Sequence, residues 1–327
     1  MLEVIFYLML RLLFVVMCEY KILTILTLRE KEPFKYLKNR KKLEYKEYDI
    51  NDKEYNKELN NFVKTMENNF NKEELSVMSN NIENLKIKEK SLKITSIIIK
   101  GKVCGTYSSN SNKIVIDKYT SFKDTVYHEL LHMASTTKNN KCYNVGFCMR
   151  ISTYKFGEKL NEGYTDIMAN RYFNSPISYK IEVIIIQFIE MLIGQKEMEK
   201  LYLQSDLKGL VEILKKYTSE KEISSFICAL DNIGKYHNNM DIKLQINKII
   251  SYLYLLYFNY FNEIYNKNKI QLEKYISSLN SLKKVLEELS FTLNKTYNTK
   301  DINDELKEID VIKAKKLLND VKFTYFY

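Results

Sequence analysis

Hydrophobic positions in the second half of the chain recur at helical spacing. Ile181 to Ile193 is apolar except at three polar positions and is followed by Gly194, which is typical of a buried helix and its end. Further on, apolar residues three or four positions apart predict a long amphipathic helix that packs on a core rather than in a coiled coil: Leu272, Ile276, Leu279, Leu282, Leu286, Leu289 and Leu293. From Tyr179 onward the pattern predicts an all-helical region.

The middle of the chain changes to the shorter apolar runs of β-strands. Leu92 to Ile99 and Lys113 to Asp117 are rich in β-branched residues and predict two strands. Gly105 to Asn112, which lies between them, predicts a turn-rich loop. The sequence therefore predicts a small sheet in this region.

Two helices are predicted after the second strand. Ser121 is followed three residues later by Asp124, which is the spacing of a helix N-terminus. Apolar residues then recur at helical spacing and predict a buried face: Val126, Leu130 and Met133. A second helix is predicted from Asn161 to Phe173 and ends before Pro176. The segment between them, Lys138 to Gly157, is rich in Asn, Cys and Gly and is predicted to be a loop.

These elements predict an α+β fold that is mainly helical, with a small antiparallel or mixed sheet beside the first of the two helices and an all-helical C-terminal part. Two prolines and eight glycines are few, and this composition favours long helices. Four regions are expected: an apolar N-terminal segment at 1–28, a charged and partly helical region at 29–91, a core with the sheet and the two helices at 92–175, and a helical C-terminal domain at 176–327.

The N-terminal apolar segment allows two interpretations. Val4 to Cys18 is apolar apart from Arg11, and the pattern resumes at Ile22 to Leu26. The first run is shorter than the roughly 20 residues of a transmembrane helix and carries a charge near its middle, which favours a buried or interfacial helix. The alternative is a membrane anchor or an export signal, in which case residues 4–26 associate with a membrane. The basic cluster Lys35 to Lys42 would then hold the rest of the chain at the cytoplasmic face.

The charge distribution and the cysteine content indicate which partners and which cellular compartment to expect. The net charge is +10, but lysines are interleaved with glutamates along most of the chain, so nucleic acid is not expected as a partner. The five cysteines are odd in number and irregularly spaced, which fits a reducing compartment better than a disulfide framework. Cys142 and Cys148 are the one pair placed to bridge a loop. We expect the cytoplasm or the cytoplasmic face of a membrane, with export as the alternative.

The first of the two helices contains residues with the spacing of a metal centre. His128 and His132 belong to an H-E-x-x-H motif, and the whole chain contains only three histidines. On a helix the two imidazoles lie one turn apart on the same face and can bind one ion. Glu129 is rotated off that line, where it can act on a metal-bound water as a general base. A helix with two surface histidines is the alternative explanation of the motif.

The second helix offers a third ligand. A catalytic zinc takes three protein ligands and keeps one position open. Glu162 opens the second helical pattern, and Asp166 follows four residues later on the same face, where it can accept the N–H of a ligating histidine. Cys104 is the alternative ligand. Asp166 is expected on the helix surface, so its replacement by alanine should cost the fold little.

These motifs resemble the gluzincin clan of zinc metallopeptidases, of which thermolysin is a familiar member. The clan has H-E-x-x-H on one helix and N-E-x-x-x-D on a later one, and Asn161 is the first residue of the match to the second part. The resemblance covers Lys113 to Phe173. It implies one catalytic Zn²⁺ held by His128, His132 and Glu162, with Glu129 as the base and Asp166 as the support of a ligand. It also implies that the strand before the motif helix is a sheet edge that lines the cleft and pairs with an extended peptide.

The resemblance implies a further donor that stabilises the oxyanion of the tetrahedral intermediate, which in this clan is a tyrosine or a histidine. Tyr154 precedes the Glu162 helix, in a region that carries such a tyrosine in some members. His237 lies in a segment, Asp231 to Asn239, that is faintly similar to the D-N-G-G-x-H segment of thermolysin-like enzymes. Both residues are candidates for this role.

The leading interpretation is a hydrolase, a zinc metallopeptidase that cleaves a peptide or protein substrate. Its specificity depends on side chains of the cleft wall that the sequence does not place. One alternative is a catalytically idle metallopeptidase-like domain that serves in binding or regulation. Another is a basic helical protein that interacts with a membrane surface and contains the motif by accident.

Overall fold

The computed structural model describes residues 56–90, 105–117, 122–139, 142–151, 154–233 and 239–268, together with single positions between 277 and 291. Some predictions fall outside the described residues: the N-terminal segment 4–26, the strand Leu92 to Ile99, Cys104, His237 and most of the leucine-patterned helix at 272–293.

The first part of the described chain forms two helices and a three-stranded sheet. The helices are α1 (Asn56–Asn69) and α2 (Ser76–Ile82), and the strands are β1 (Lys86–Lys90), β2 (Gly105–Ser108) and β3 (Lys113–Asp117). The strand order is β1-β3-β2, with β1 parallel and β2 antiparallel to β3. This mixed sheet lies beside the motif helix, which packs against β2 and β3.

The bounds of β3 agree with the sequence prediction, but two expectations about this sheet are wrong. The predicted loop from Gly105 to Asn112 begins with β2, because Tyr107 pairs with Ile114 and both side chains are buried. The strand before the motif helix, β3, is central rather than an edge, since β1 and β2 pair on its two sides. Among the described strands, β2 occupies the edge next to that helix.

Along the chain, a second sheet lies between the motif helix, α3, and the second ligand helix, α4. Helix α3 runs from Phe122 to Ala134, and α4 runs from Glu158 to Phe173. Between them lie four antiparallel strands in sequential order: β4 (Thr136–Asn139), β5 (Cys142–Val145), β6 (Cys148–Ile151) and β7 (Tyr154–Phe156). The predicted loop from Lys138 to Gly157 is therefore wrong, because strands of three or four residues carry too few positions to show a period.

Local backbone chemistry explains where α4 begins and ends. Gly157 precedes it with a φ of 80°, and a Cβ at this position would collide with the carbonyl of Phe147, so only glycine fits. Asp231 accepts the backbone N–H groups of Gly157 and Lys159 at 2.7 and 2.8 Å, which caps the first turn. Asn174 ends the helix in the left-handed conformation. Helix α4 starts three residues earlier than predicted.

The rest of the described chain is helical, as predicted. Its helices are α5 (Lys180–Ile193), α6 (Gln195–Leu203), α7 (Leu207–Leu214), α8 (Glu220–Asn232) and α9 (Asn239–Asn268). Helix α5 ends at Gly194 as expected, and Ser219 and Glu222 form a capping box at the start of α8. None of the helices in the described part of the chain combines the length and the apolar composition that crossing a bilayer requires.

One buried cluster joins these elements. Val126, Leu130 and Met133 of α3 are fully buried, which confirms the predicted apolar face. Helices α4 and α5 pack closely along each other, and eight residues of α5 are buried. Cys148 is a buried free thiol and forms no disulfide, so its predicted alternative pairing with Cys142 is wrong. The mainly helical α+β class with small sheets is confirmed.

Candidate metal centre

Helices α3 and α4 bring together the three side chains that the sequence singled out as ligands. Nε2 of His128 lies 3.0 Å from Nε2 of His132 and 3.1 Å from Oε2 of Glu162. The remaining distance, from Nε2 of His132 to Oε2 of Glu162, is 3.4 Å. The three ligand atoms therefore form a nearly equilateral triangle, the only such group of His, Cys, Asp or Glu found among the described residues.

This triangle fits the chemistry of zinc. A tetrahedral Zn²⁺ with ligand distances of about 2.0–2.1 Å places neighbouring ligand atoms about 3.3–3.4 Å apart. Two imidazole nitrogens and one carboxylate oxygen are a ligand set that zinc enzymes use, and three ligands leave a fourth position open. The side chains are largely but not fully buried, with 13% of His128 and 15% of Glu162 exposed, so the group faces an accessible space.

A carboxylate contacts Nδ1 of His128, the ring nitrogen that faces away from the triangle. Oδ1 of Asp166 lies 2.8 Å from Nδ1 of His128, the contact predicted from the spacing on α4. The other oxygen, Oδ2, accepts the backbone N–H groups of Ser178 and Tyr179, both at 2.7 Å. Asp166 is only 3% exposed. The expectation of a surface position is therefore wrong, because the loop before α5 folds over this carboxylate and uses it as an acceptor.

The corresponding nitrogen of His132, Nδ1, contacts neutral groups instead. Nδ1 of His132 lies 3.2 Å from Nδ2 of Asn161 and 3.5 Å from Oγ1 of Thr165. Oδ1 of Asn161 accepts the backbone N–H of Phe147 at 3.1 Å, so this amide joins α4, α3 and the second sheet. Because Oδ1 is used in this way, Nδ2 of Asn161 is the donor that faces His132, and in the metal-free protein it favours the tautomer with the proton on Nε2. When Nε2 binds a metal the proton moves to Nδ1, and the Thr165 hydroxyl is then an acceptor within 3.5 Å.

Glu129 lies beneath strand β2. It is 6% exposed, and its carboxylate accepts the backbone N–H of Tyr107. A Cβ on Gly105 would lie 3.2 Å from both Cγ and Oε1 of Glu129 and 2.5 Å from Thr125, so the strand comes this close only because residue 105 is glycine. Burial raises the pKa of Glu129, and the two histidines counteract only part of this rise.

The electrostatics of the triangle favour a positive charge within it. Burial alone would lower the pKa of His128, but hydrogen bonds to Asp166 and Glu162 outweigh burial and raise that pKa well above its usual value. Burial alone would raise the pKa of Glu162, but the histidines hold it well below its usual value. Three carboxylates around two imidazoles therefore stabilise a cation at this position, whether it is a proton or a metal ion.

Tyr179 belongs to the site although no sequence motif pointed to it. Its ring lies 6.0 Å from the ring of His128 at an interplanar angle of 25°, and Nζ of Lys159 lies 4.9 Å from its centroid. The carboxylate of Glu162, followed by burial, raises the pKa of the Tyr179 phenol. No hydrogen bond of its hydroxyl to another described residue is present. Its position in the segment between α4 and α5 was the only feature of the sequence that distinguished Tyr179 from the other tyrosines, of which the chain has 26 in all.

The described side chains include neither of the two predicted oxyanion donors. The backbone of Tyr154 lies at the start of β7, paired with Ile151, and only its backbone belongs to the described part of the chain. His237 lies outside the described residues, as does Cys104, the alternative ligand. The assignments of Tyr154 and His237 as oxyanion donors therefore stay predictions, and so does Cys104 as an alternative ligand.

Comparisons with known proteins give no further guidance: no protein-family model matches the chain, and neither a curated protein nor a solved structure matches it.

Proposed function

We propose that this protein is a zinc-dependent metallopeptidase of the gluzincin type, which hydrolyses peptide bonds in a peptide or protein substrate. The observation that carries the proposal is the triangle of two Nε2 atoms and one carboxylate oxygen with edges of 3.0–3.4 Å, flanked by Glu129. His128, His132 and Glu162 would hold the ion. A bound zinc ion supplies Lewis acidity, which lowers the pKa of a bound water and polarises a carbonyl.

Side chains of the protein supply proton transfer and the orientation of a ligand. Glu129 accepts the proton of the attacking water and passes it to the leaving amine. Its burial under β2 raises its pKa, which brings it nearer to that of the groups with which it exchanges protons. Asp166 keeps the proton of His128 on Nδ1, so that Nε2 faces the metal.

Tyr179 is the candidate we favour for the oxyanion donor, ahead of Tyr154 and His237. Its ring lies beside His128, and its phenol is close enough to Glu162 for that carboxylate to be the main cause of its raised pKa. A tyrosine hydroxyl is protonated at neutral pH even without such a rise. A protonated phenol beside the metal can donate to the charge that develops on the carbonyl oxygen.

The compartment and the N-terminus complete the proposal. We propose that the protein acts in the cytoplasm or at the cytoplasmic face of a membrane, with association through residues 4–26. The free, buried thiol of Cys148 suits a reducing compartment. Fractionation of cells that express the full chain tests this, and recovery in the medium would contradict it.

A pair of variants tests the central proposal. Purified wild-type protein is expected to contain about one zinc per chain, and His132→Ala is expected to lose it. Glu129→Gln keeps the shape of the side chain but cannot accept a proton, so zinc should stay bound while cleavage of a peptide library falls by orders of magnitude. Zinc binding without any cleavage by the wild type would instead support an idle metallopeptidase-like domain. Absence of zinc would indicate an accidental motif.

A further inference from the structure

A polar cavity lies next to the candidate metal centre. Its volume is about 430 Å³, and it is enclosed by α2, the β2–β3 turn and strands β4 and β5. Two of its lining residues contact the metal site directly: Tyr107 donates its backbone N–H to Glu129, and the Thr136 hydroxyl donates to the carbonyl of His132 at 2.7 Å. These two residues therefore connect the cavity wall with helix α3 of the candidate metal centre.

The described residues of the cavity wall carry no negative charge. They comprise five asparagines, several hydroxyl groups and a single charged residue, Lys138, and none of these described lining residues is a carboxylate. The candidate metal centre beside it is rich in carboxylates, so the two regions differ in the charge they accept. A wall with amide and hydroxyl donors and one cation suits an acidic group of a bound molecule.

A second cation, Arg150, belongs to strand β6, which contacts helix α4 of the candidate metal centre. In the register of the second sheet it is opposite Tyr143, which lines the cavity. Its charge interacts with the phenol of Tyr107 on the cavity side and with the carboxylate of Glu162 on the metal side. Arg150 is therefore close to a residue of the cavity wall and to a residue of the metal centre.

No acidic side chain of the described protein forms an ion pair with this guanidinium. Its hydrogen-bond partner is the thiol of Cys148, and burial raises the pKa of that thiol to about 12, so the thiol is neutral. Glu158 is paired with Lys155, and Glu162 belongs to the ligand triangle. Nε of Arg150 is buried and has no hydrogen-bond partner. The guanidinium therefore keeps hydrogen-bonding capacity that no carboxylate among the described residues fills, and a carboxylate of a ligand can fill it.

From this arrangement we infer that Arg150 and the cavity behind it bind a carboxylate of the peptide substrate. The inference rests on the proposed peptidase function and defines its substrate class as peptides with an acidic group near the cleaved bond. Arginine suits this role because its planar fork can donate two parallel hydrogen bonds to one carboxylate. The carboxylate is either the free C-terminus of a short peptide or the side chain of Asp or Glu, and these share the same recognition chemistry.

Matched peptide pairs test the inference on the full zinc-loaded protein. One pair differs only in a free or an amidated C-terminus, and a second set replaces Glu by Gln, or Asp by Asn, on either side of the cleaved bond. The wild type should favour the carboxylate member by about 10- to 100-fold in kcat/KM, the range for a hydrogen bond to a charged group. The pair that shows this preference identifies the source of the carboxylate. Cleavage of all pairs without preference would overturn the inference and leave the peptidase proposal intact.

Variants then assign the preference to Arg150. Arg150→Gln should remove it mainly by raising KM for the carboxylate member, while the neutral member is cleaved as by the wild type. Lys248→Gln removes an equal charge from an exposed position on α9 and should retain the preference. An equal fall in kcat on both members of each pair would instead show that Arg150 acts on the reaction or the fold, and this would overturn the inference.

Two further measurements keep the test decisive if Arg150→Gln does not fold or if no cleavage is found. Arg150→Lys retains the charge but not the fork, and it should reduce the preference partially. Calorimetry on Glu129→Gln measures peptide binding without turnover, so a carboxylate preference there supports the inference even if the protein is not a peptidase. Equal binding of carboxylate and amide peptides in that experiment would overturn it.

Discussion

Replacement of Asp166 by asparagine should separate metal affinity from fold stability. Oδ1 of Asp166 contacts Nδ1 of His128 at 2.8 Å, and Oδ2 accepts two backbone N–H groups at 2.7 Å. An asparagine has only one acceptor oxygen. If that oxygen keeps the two N–H groups of the loop, the amide nitrogen faces His128 and donates to it. The imidazole then carries its proton on Nε2, which is the nitrogen that zinc needs.

The expected effects depend on which hydrogen bonds of the Asp166 carboxylate each substitution removes. Loss of a carboxylate behind a metal-binding histidine weakens metal affinity by about 10- to 100-fold, which is about 1.4–2.8 kcal/mol. The backbone hydrogen bonds of the loop persist in Asp166→Asn but change from charge-assisted to neutral, which costs about 1 kcal/mol of stability. Asp166→Ala also removes the acceptor of both backbone N–H groups, so it should destabilise the fold more than Asp166→Asn does.

The assay uses zinc competition with a chromophoric chelator and urea unfolding of the metal-free protein. Asp231→Asn is the matched control, because Asp231 also accepts two backbone N–H groups, at 2.7 and 2.8 Å, and these belong to Gly157 and Lys159 at the start of α4. The control should lose about 1–3 kcal/mol of stability and keep its zinc affinity within about threefold of the wild type. Wild-type zinc affinity in Asp166→Asn would refute the proposed role of Asp166.

Three other changes probe the neighbours of the triangle. Tyr179→Phe should retain zinc and lower kcat by about 10²–10³-fold, the usual effect of removing an oxyanion donor, and unchanged steady-state kinetics would exclude Tyr179 from this role. Gly105→Ala should push Thr125 and the carboxylate of Glu129 from their positions and lower kcat/KM by about 10- to 100-fold with zinc content unchanged. Because the pKa of His128 is raised, a proton competes with zinc above the usual histidine range; zinc affinity should therefore keep rising with pH beyond about 6.5, and a plateau by pH 6.5 in pH-dependent titrations would contradict this.

The sequence predicted the parts of the site that depend on helical periodicity. His128, His132, Glu162 and Asp166 lie on two helices, and a helix fixes the relative direction of residues four apart. Knowing the residue spacing was therefore enough to predict which side chains face each other on each helix. The sequence also predicted that Asp166 contacts one of the two histidines, and the structure shows that this histidine is His128.

The parts that depend on short strands and loops could not be predicted in this way. Strand β2 has four residues and strand β7 has three, and such lengths leave no measurable alternation. The closeness of β2 to Glu129 depends on the missing side chain of Gly105, which is a tertiary contact. The burial of Asp166 likewise depends on a loop that follows α4, and nothing within α4 itself encodes that loop.

Asp166 links metal binding to the placement of the proposed oxyanion donor. The same carboxylate that contacts His128 also holds the backbone N–H of Tyr179, so one side chain fixes both the ligand and the start of the segment that carries the phenol. The two effects are separable in kinetics. Saturating zinc restores occupancy in Asp166→Ala, but it does not restore a displaced Tyr179, because the phenol is positioned by the loop and not by the ion. A kcat deficit that persists at saturating zinc, and that disappears when measured against a Tyr179→Phe background, would assign this residual loss to the position of Tyr179.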